Sequence, residues 1–214
     1  MRITTMLISK KNISNFQVQS LIRSIFFAII LCLSPFSLAS VVDFESLSDS
    51  EIVTTQFTGL TFLNAIALSS DISLNQFEFP PHSGFNVISD NEGAITIDFS
   101  VPVTNVNGYF TYGASLVLDG FDSLNNLVVT SNSLFANNTA LSGDVGSNSN
   151  ELISLTYANG LSRIIISGDI NGASFVLDDL SYSTISAVPL PASIVLFISG
   201  LASFFLKKRQ RKSI

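Results

Sequence analysis

Apolar residues alternate with polar ones along most of residues 41–186, and this two-residue period limits the fold more than any other feature. Ile95, Ile97 and Phe99 share one face of an extended segment, and residues 106–112 are aromatic and β-branched. Side chains of a strand point alternately to opposite faces, so the period predicts half-buried strands rather than helices. About eight to ten such segments predict an all-β fold, an antiparallel β-sandwich of jelly-roll type.

Two segments of the chain have the pattern of β-hairpins. Residues 115–122 and 126–133 flank a polar turn. Residues 151–168 (ELISLTYANGLSRIIISG) predict a second hairpin that turns at Ala158-Asn159-Gly160, because Asn-Gly supplies the positive φ of a tight turn. The first strand is expected at 41–45 and the last at 173–182. Residues 57–68 are expected to add one or two more.

Phenylalanine is the main aromatic residue and should fill the core. The phenylalanines expected there are Phe44, Phe57, Phe62, Phe99, Phe110, Phe121 and Phe175. Residues 131–150 are rich in Gly, Ser and Asn, which predicts a long surface loop. Arg163 interrupts a strand pattern and is expected to face outward and pair with a nearby acid.

Charge is distributed very unevenly along the chain. All 16 acidic residues lie between residues 41 and 187, where Arg163 is the only Lys or Arg, so the net charge of −6 hides a central body at −15 (16 acidic minus 1 basic). Such a body repels phosphate backbones, which excludes nucleic acid as a partner. The negative charge is compatible with binding of divalent cations, or it serves solubility alone. The single cysteine, Cys32, precedes this body, which excludes disulfides and Cys-ligated zinc within it.

The N-terminal segment, residues 1–39, has the pattern of a signal peptide. A basic region precedes an apolar run at 24–36, and small residues at Ser37 and Ala39 favour cleavage after Ala39. The basic residues are Arg2, Lys10, Lys11 and Arg23. This pattern predicts export through the Sec machinery. An uncleaved N-terminal anchor is the alternative.

The C-terminal segment, residues 187–214, predicts a single transmembrane helix. Residues 189–206 are 18 apolar or small residues, barely enough to cross a bilayer. A basic tail follows at once and should stay cytoplasmic, leaving the body outside. The tail residues are Lys207, Lys208, Arg209, Arg211 and Lys212.

The apolar segment begins with a proline-containing motif, Val188, Pro189, Leu190, Pro191 and Ala192. Together with the short apolar helix and the basic tail, this motif resembles the sorting signal of PEP-CTERM proteins. The family motif is usually Val-Pro-Glu-Pro, so Leu190 stands where glutamate is usual. The resemblance implies a Gram-negative cell and recognition by an exosortase. That enzyme would remove the tail from an inner-membrane intermediate and transfer the body (residues 40–186) to the cell surface or extracellular matrix.

Three segments of the body carry a second resemblance: residues 42–47 (VDFESL), 79–87 (FPPHSGFNV) and 175–182 (FVLDDLSY). With these segments the body resembles other PEP-CTERM proteins and, more distantly, galactose-binding-like jelly rolls. This resemblance implies that the first and last strands are neighbours and that a structural Ca²⁺ can lie between them. The implied calcium ligands are Asp43, Glu45, Asp178 and Asp179. Strand alternation should put Asp178 and Asp179 on opposite faces, leaving only one as a ligand. The alternative is that these acids are simply solvated.

Candidate binding residues are few, and the natural ligand is not indicated. His82 is either a polar contact in a ligand site or a turn residue covering the edge of the sandwich. Tyr109 and Tyr112 should lie on opposite faces and form no joint sugar-stacking surface. No Gly-x-Ser-x-Gly motif occurs, and no carboxylate pair stands out as catalytic. The expected function is a non-enzymatic structural or adhesive role in exopolysaccharide or biofilm. A carbohydrate-binding module of the same fold and a secreted glycan hydrolase are the alternatives.

Overall fold

The computed structural model describes residues 39–184 as an all-β fold, which confirms the predicted fold class. The strands are β1 (Ala39–Val42), β2 (Ile52–Val53), β3 (Leu60–Leu63), β4 (Ala65–Ser69), β5 (Asn86–Asn91), β6 (Ile95–Tyr112), β7 (Val117–Phe121), β8 (Leu127–Asn132), β9 (Glu151–Ser167) and β10 (Gly172–Thr184). All pairs of these strands are antiparallel. No helix within this range has the length and apolar character needed to cross a bilayer. The predicted C-terminal helix, and all of the predicted signal peptide except Ala39, lie outside the described residues.

Two long strands, β6 and β9, connect the two layers of the sandwich. The first layer has the order β2-β4-β5-β10-β6-β9, with β1 also paired to β10. The second has the order β3-β6-β9-β7-β8. The register between β6 and β9 shifts twice, between Asp98 and Val103 and between Val103 and Asn105. Strands that pass between layers bend at such irregularities, so β6 and β9 each belong to both layers.

The bend in β9 corrects the predicted hairpin at Ala158-Asn159-Gly160. The strand continues through this segment, because the residues on both sides of it pair with β6 rather than with each other. Gly160 has a φ of 97°, so the positive φ is real, but it serves a bulge. Pro102 lies at the same level of β6, where a residue without an N–H interrupts the ladder at least cost.

The core lies between the layers and is filled from both. Ile97 and Ile164 of the second layer pack in one cluster with Phe110, Leu155 and Phe175 of the first. Of the predicted core phenylalanines, those buried are Phe44, Phe62, Phe99, Phe110 and Phe175. Phe57 packs against the cluster and forms edge-to-face contacts with Phe44 and Phe62, whereas Phe121 is half-buried and lies outside the cluster.

The predicted hairpin of residues 115–133 is confirmed as β7 paired with β8. The polar loop that follows spans residues 133–150 and is pinned to the first layer by Asn138, which is fully buried. Its amide nitrogen donates to the carbonyl of Phe110 (2.9 Å), and its carbonyl accepts from the N–H of Tyr112 (2.6 Å). The loop therefore has a defined position against the end of β6.

The first and last described strands are neighbours, as the resemblance implied. Val41 of β1 lies opposite Ser181 of β10, and Ala39 lies opposite Ser183. This pairing brings the acids that follow β1 and the acids within β10 to the same region of the first layer.

Candidate functional site

The outward face of the first layer is a row of uncharged polar side chains. Along β6, Asn105, Asn107 and Tyr109 point away from the core, because Val106 and Phe110 point into it. Their register partners on the two adjacent strands share that face. One of them, Asp178 opposite Tyr109, is buried and accepts hydrogen bonds from the backbone of residues 82 and 83. We define the polar face as the remaining, uncharged members: Asn105, Asn107, Tyr109, Leu152, Ser154, Thr156, Ser181 and Ser183.

A chain of hydrogen bonds runs across three strands of the polar face. Asn105 Nδ2 donates to Thr156 Oγ1 (2.9 Å). Asn107 Nδ2 donates to Asn105 Oδ1 (2.6 Å) and to Ser181 Oγ (3.2 Å). Adjacent strands lie about 4.8 Å apart, so the chain spans about 10 Å from β9 to β10. It fixes the orientation of both amides.

The same side chains keep hydrogen-bonding capacity for a ligand. Within residues 39–184, Asn107 Oδ1 accepts no hydrogen bond, and the hydroxyl groups of Ser154 and Ser183 have no side-chain partner. Ser154 and Thr156 are exposed. The face therefore offers both donors and acceptors in fixed positions.

An aromatic pair lies at one end of the polar face. The rings of His82 and Tyr109 are stacked, with centroids 3.4 Å apart and planes 7° from parallel. His82 Nδ1 also lies 2.6 Å from Asp179 Oδ2, and 37% of the His82 side chain is exposed. The imidazole thus lies on the sheet face, held between a tyrosine and a carboxylate.

Three carboxylates hold the loop that carries His82, residues 80–86, which we call the clasped loop. Asp178 Oδ2 accepts from the backbone N–H groups of His82 (2.8 Å) and Ser83 (2.9 Å). Asp179 Oδ1 accepts from the hydroxyl of Ser83 (3.0 Å). On the other side, Glu45 Oε1 accepts from the N–H groups of Phe85 (2.9 Å) and Asn86 (2.8 Å). The loop is fixed by acids from both ends of the described chain.

Asp178 and Asp179 reach the same loop, which corrects the expectation that they lie on opposite faces. Asp179 has a φ of 46°, and the register with β6 shifts between Asp178 and Ser181. This bulge breaks strict alternation. Asp178 is 1% exposed, and its burial raises the pKa of its carboxyl group to about 6 against the opposing effect of the N–H donors of Ser83, Asp179 and His82.

The four acids assigned to calcium act here as acceptors for N–H and O–H groups rather than as a shell around a cation. Asp43 is exposed, and its Oδ1 accepts from the N–H of Glu45 at 3.3 Å. Among residues 39–184, no group of three or more His, Cys, Asp or Glu side chains is arranged to hold a metal. The calcium site stays a prediction. A melting temperature that a chelator lowers by several degrees would support it, and an unchanged one with no calcium by elemental analysis would reject it.

The two tyrosines of β6 lie on opposite faces, as predicted. Tyr109 is on the polar face, whereas Tyr112 is buried and donates its hydroxyl to Glu151. Burial and the Glu151 carboxylate raise the pKa of Tyr112 to about 12.

Arg163 pairs with Asp98 on the second layer (2.6 Å), which confirms its predicted role.

The amide and hydroxyl row was missed from the sequence, although alternation could have found it. Residues 105, 107 and 109 alternate along one strand and so lie on the same face, as do residues 152, 154 and 156.

The sorting motif (residues 188–192) and the basic tail (residues 207–212) lie outside the described residues.

The described residues thus define a jelly-roll β-sandwich module with a polar, uncharged sheet face beside a histidine-tyrosine stack. No protein-family model matches the chain, and no curated protein matches it significantly. Solved structures similar to it include the K2 cleaved adhesin domain of Lys-gingipain, with 15% identity and a TM-score of 0.44 over 68% of this chain and 99% of that one. The K1 cleaved adhesin domain of Lys-gingipain from Porphyromonas gingivalis W83 has 6% identity and a TM-score of 0.41 over 69% and 98%. A mutant of a carbohydrate binding module of family 29 has 12% identity and a TM-score of 0.39 over 70% and 93%.

Proposed function

We propose that this chain is an exported, non-enzymatic protein of the cell surface or extracellular matrix whose polar face binds glycan. The observation that carries the proposal is the fixed row from Thr156 through Asn105 and Asn107 to Ser181, beside the stacked rings of His82 and Tyr109. Sugar hydroxyls both donate and accept hydrogen bonds, as do amides and hydroxyls of the protein. An aromatic ring supplies the apolar surface against which the C–H groups of a sugar pack.

The carboxylates beside the face support a binding role rather than catalysis. Asp178 and Asp179 direct oxygens at the backbone and side chain of the clasped loop, and Asp178 is buried. Hydrolysis of a glycosidic bond needs two carboxyl groups that flank the bond and reach the substrate. Acids held in this way position the loop, so the bound glycan would be retained rather than cleaved.

Glycan binding is tested with the purified full chain, in mild detergent to keep the predicted anchor soluble. Affinity electrophoresis against a panel of soluble polysaccharides should give saturable retardation. Asn107→Ala should weaken binding about 5- to 10-fold, since it removes two fixed hydrogen bonds and an acceptor, Oδ1, that has no partner within residues 39–184. The matched control is Asn132→Ala, the same change at an exposed position of β8 on the second layer. No retardation by any polysaccharide, or equal losses in both variants, would refute the proposal.

The export part of the proposal uses the two terminal segments. Strand β1 begins at Ala39 and β10 ends at Thr184, so cleavage after Ala39 and within the segment after residue 186 would remove only Ala39 from the described strands. In this scheme the Sec machinery exports the chain, the helix within 187–214 holds it in the inner membrane, and an exosortase reads the motif from Val188 to Ala192. The body then joins the surface or matrix exopolysaccharide.

Sorting is tested by the mass of the mature protein in a host with and without its exosortase. The expected result is a chain that lacks the basic tail only when the exosortase is present. An identical, intact C-terminus in both strains would leave a permanent anchor and refute sorting.

A further inference from the structure

We infer that the glycan bound by the polar face is an uncharged polysaccharide and that the face excludes polyanionic polymers such as polyuronates. The inference rests on the proposed function of this face and adds the chemical class of its ligand.

The first argument is the chemistry of the face itself. Its members are two amides, four hydroxyl-bearing Ser and Thr side chains, one tyrosine and one leucine. Binding a carboxylate or sulfate group in place of water calls for a charge-assisted donor, most often Arg or Lys. Within residues 39–184 the only Lys or Arg is Arg163, which pairs with Asp98 and Asn125 on the second layer. A charged sugar would lose hydration on this face and gain no Lys or Arg as a counter-charge.

The second argument is the charge at the border of the face. Asp179 Oδ2 lies 2.6 Å from His82 Nδ1, and the His82 ring lies 3.4 Å from the Tyr109 ring. The Asp179 carboxylate is therefore two contacts away from Tyr109, at the aromatic end of the polar face. Asp178 lies beside it and is the register partner of Tyr109. These separations fall within the Debye length of about 8 Å at physiological salt, so screening does not remove the repulsion of an anionic chain. The body as a whole, at −15, repels it further.

A cationic amino-sugar polymer would be attracted by the same charge, but in a different way. The attraction would come from the whole body, and the fixed amides would contribute little to it. Such binding should be strong at low salt, should weaken at physiological salt, and should be insensitive to Asn107→Ala.

The experiment compares three soluble probes on the purified full chain: a neutral glucan or mannan, alginate and chitosan. Each is measured at about 0.01 M and about 0.15 M salt, where the Debye length is about 30 Å and 8 Å. We expect a neutral polymer to bind with less than about a twofold change between the two salts and to be weakened by Asn107→Ala. We expect no binding of alginate at either salt. Alginate binding that Asn107→Ala abolishes would overturn the inference and leave the proposed function standing. If no probe shows binding that Asn107→Ala weakens, the proposed function itself is refuted.

Two lysine substitutions test whether the polar face itself excludes polyanionic polymers. Ser154→Lys places a cation on the polar face, and Asn132→Lys places one at an exposed position of the second layer, so the two variants have equal net charge. Ser154→Lys should acquire measurable alginate binding and Asn132→Lys should not. Equal gains in the two variants would mean that net charge alone excludes polyanions, which would overturn the assignment to this face.

Discussion

The ionisation of Asp178 should make the protein less stable at neutral pH than in mild acid. Burial raises the pKa of this carboxyl group to about 6 in the folded protein, above its ordinary 3.8, with the neighbouring Asp179 charge acting in the same direction. Between these two values the folded state binds more protons than the unfolded state. The stability that protonated Asp178 contributes is therefore fully present below about pH 3.8 and is lost as the pH rises through about 6.

The expected size of this effect follows from the shift. About two pKa units correspond to about 3 kcal/mol over the whole range, and lowering the pH from 7 to 5 recovers a little under half of it, about 1 kcal/mol. Solvent reaches the clasped loop, so screening makes this figure an upper value. For a protein of this size, 1 kcal/mol changes the melting temperature by about 2–4 °C.

The assay is thermal unfolding of the full chain, followed by far-ultraviolet circular dichroism at pH 7 and pH 5, for the wild type and Asp178→Asn. The amide cannot take up the proton, so the wild type should gain about 2–4 °C more than the variant on acidification. Relief of the repulsion among the other acids acts on both proteins and cancels in the difference. The comparison is repeated in a His82→Ala background, so that His82, which contacts Asp179, cannot contribute to the difference. Parallel changes in wild type and Asp178→Asn would refute the reasoning.

Three further substitutions test the packing of the sandwich by urea unfolding. Phe44→Ala should cost about 3–5 kcal/mol, because Phe44 is fully buried in the edge-to-face cluster, and a loss below about 1 kcal/mol would contradict this packing. Gly160→Ala should cost about 1–3 kcal/mol, because a φ of 97° strains any side chain, and unchanged stability would mean that β9 does not bulge there. Arg163→Ala should cost less than about 1 kcal/mol, because its pair with Asp98 is exposed to solvent, and a larger loss would show that the pair is structural.

The strands could be predicted from the sequence because they depend on a local pattern. Alternation along 95–99 and 106–112 follows from burial of one face, and that burial holds whichever strand is the partner. The pattern does not say that the two segments form one strand, β6, because the bend between them is made by the register shift against β9. The predicted hairpin at Asn159-Gly160 was wrong for the same reason. A tight turn and a bulge both need a positive φ, and only the continuous partner strand decides between them.

The candidate site could be predicted only in part, because its loop is fixed by residues distant in sequence. Pro80 and Pro81 begin the clasped loop and have no N–H group, and the rest of the loop presents backbone donors at His82, Ser83 and Phe85. Counting these donors shows that acceptors are needed, but it does not say which of the acidic residues supply them.

The acceptors are Glu45, 40 residues from Phe85 in sequence, and Asp178, 96 residues from His82. The pairing of β1 with β10 brings both acids to the loop. The resemblance to galactose-binding-like jelly rolls drew attention to the same acids because it predicts neighbouring first and last strands. It did not predict what these acids bind, since a carboxylate serves an N–H group or a cation equally well as an oxygen acceptor. The bulge at Asp179 decides the geometry, because it lets two successive carboxylates reach one loop and so fixes His82 on Tyr109.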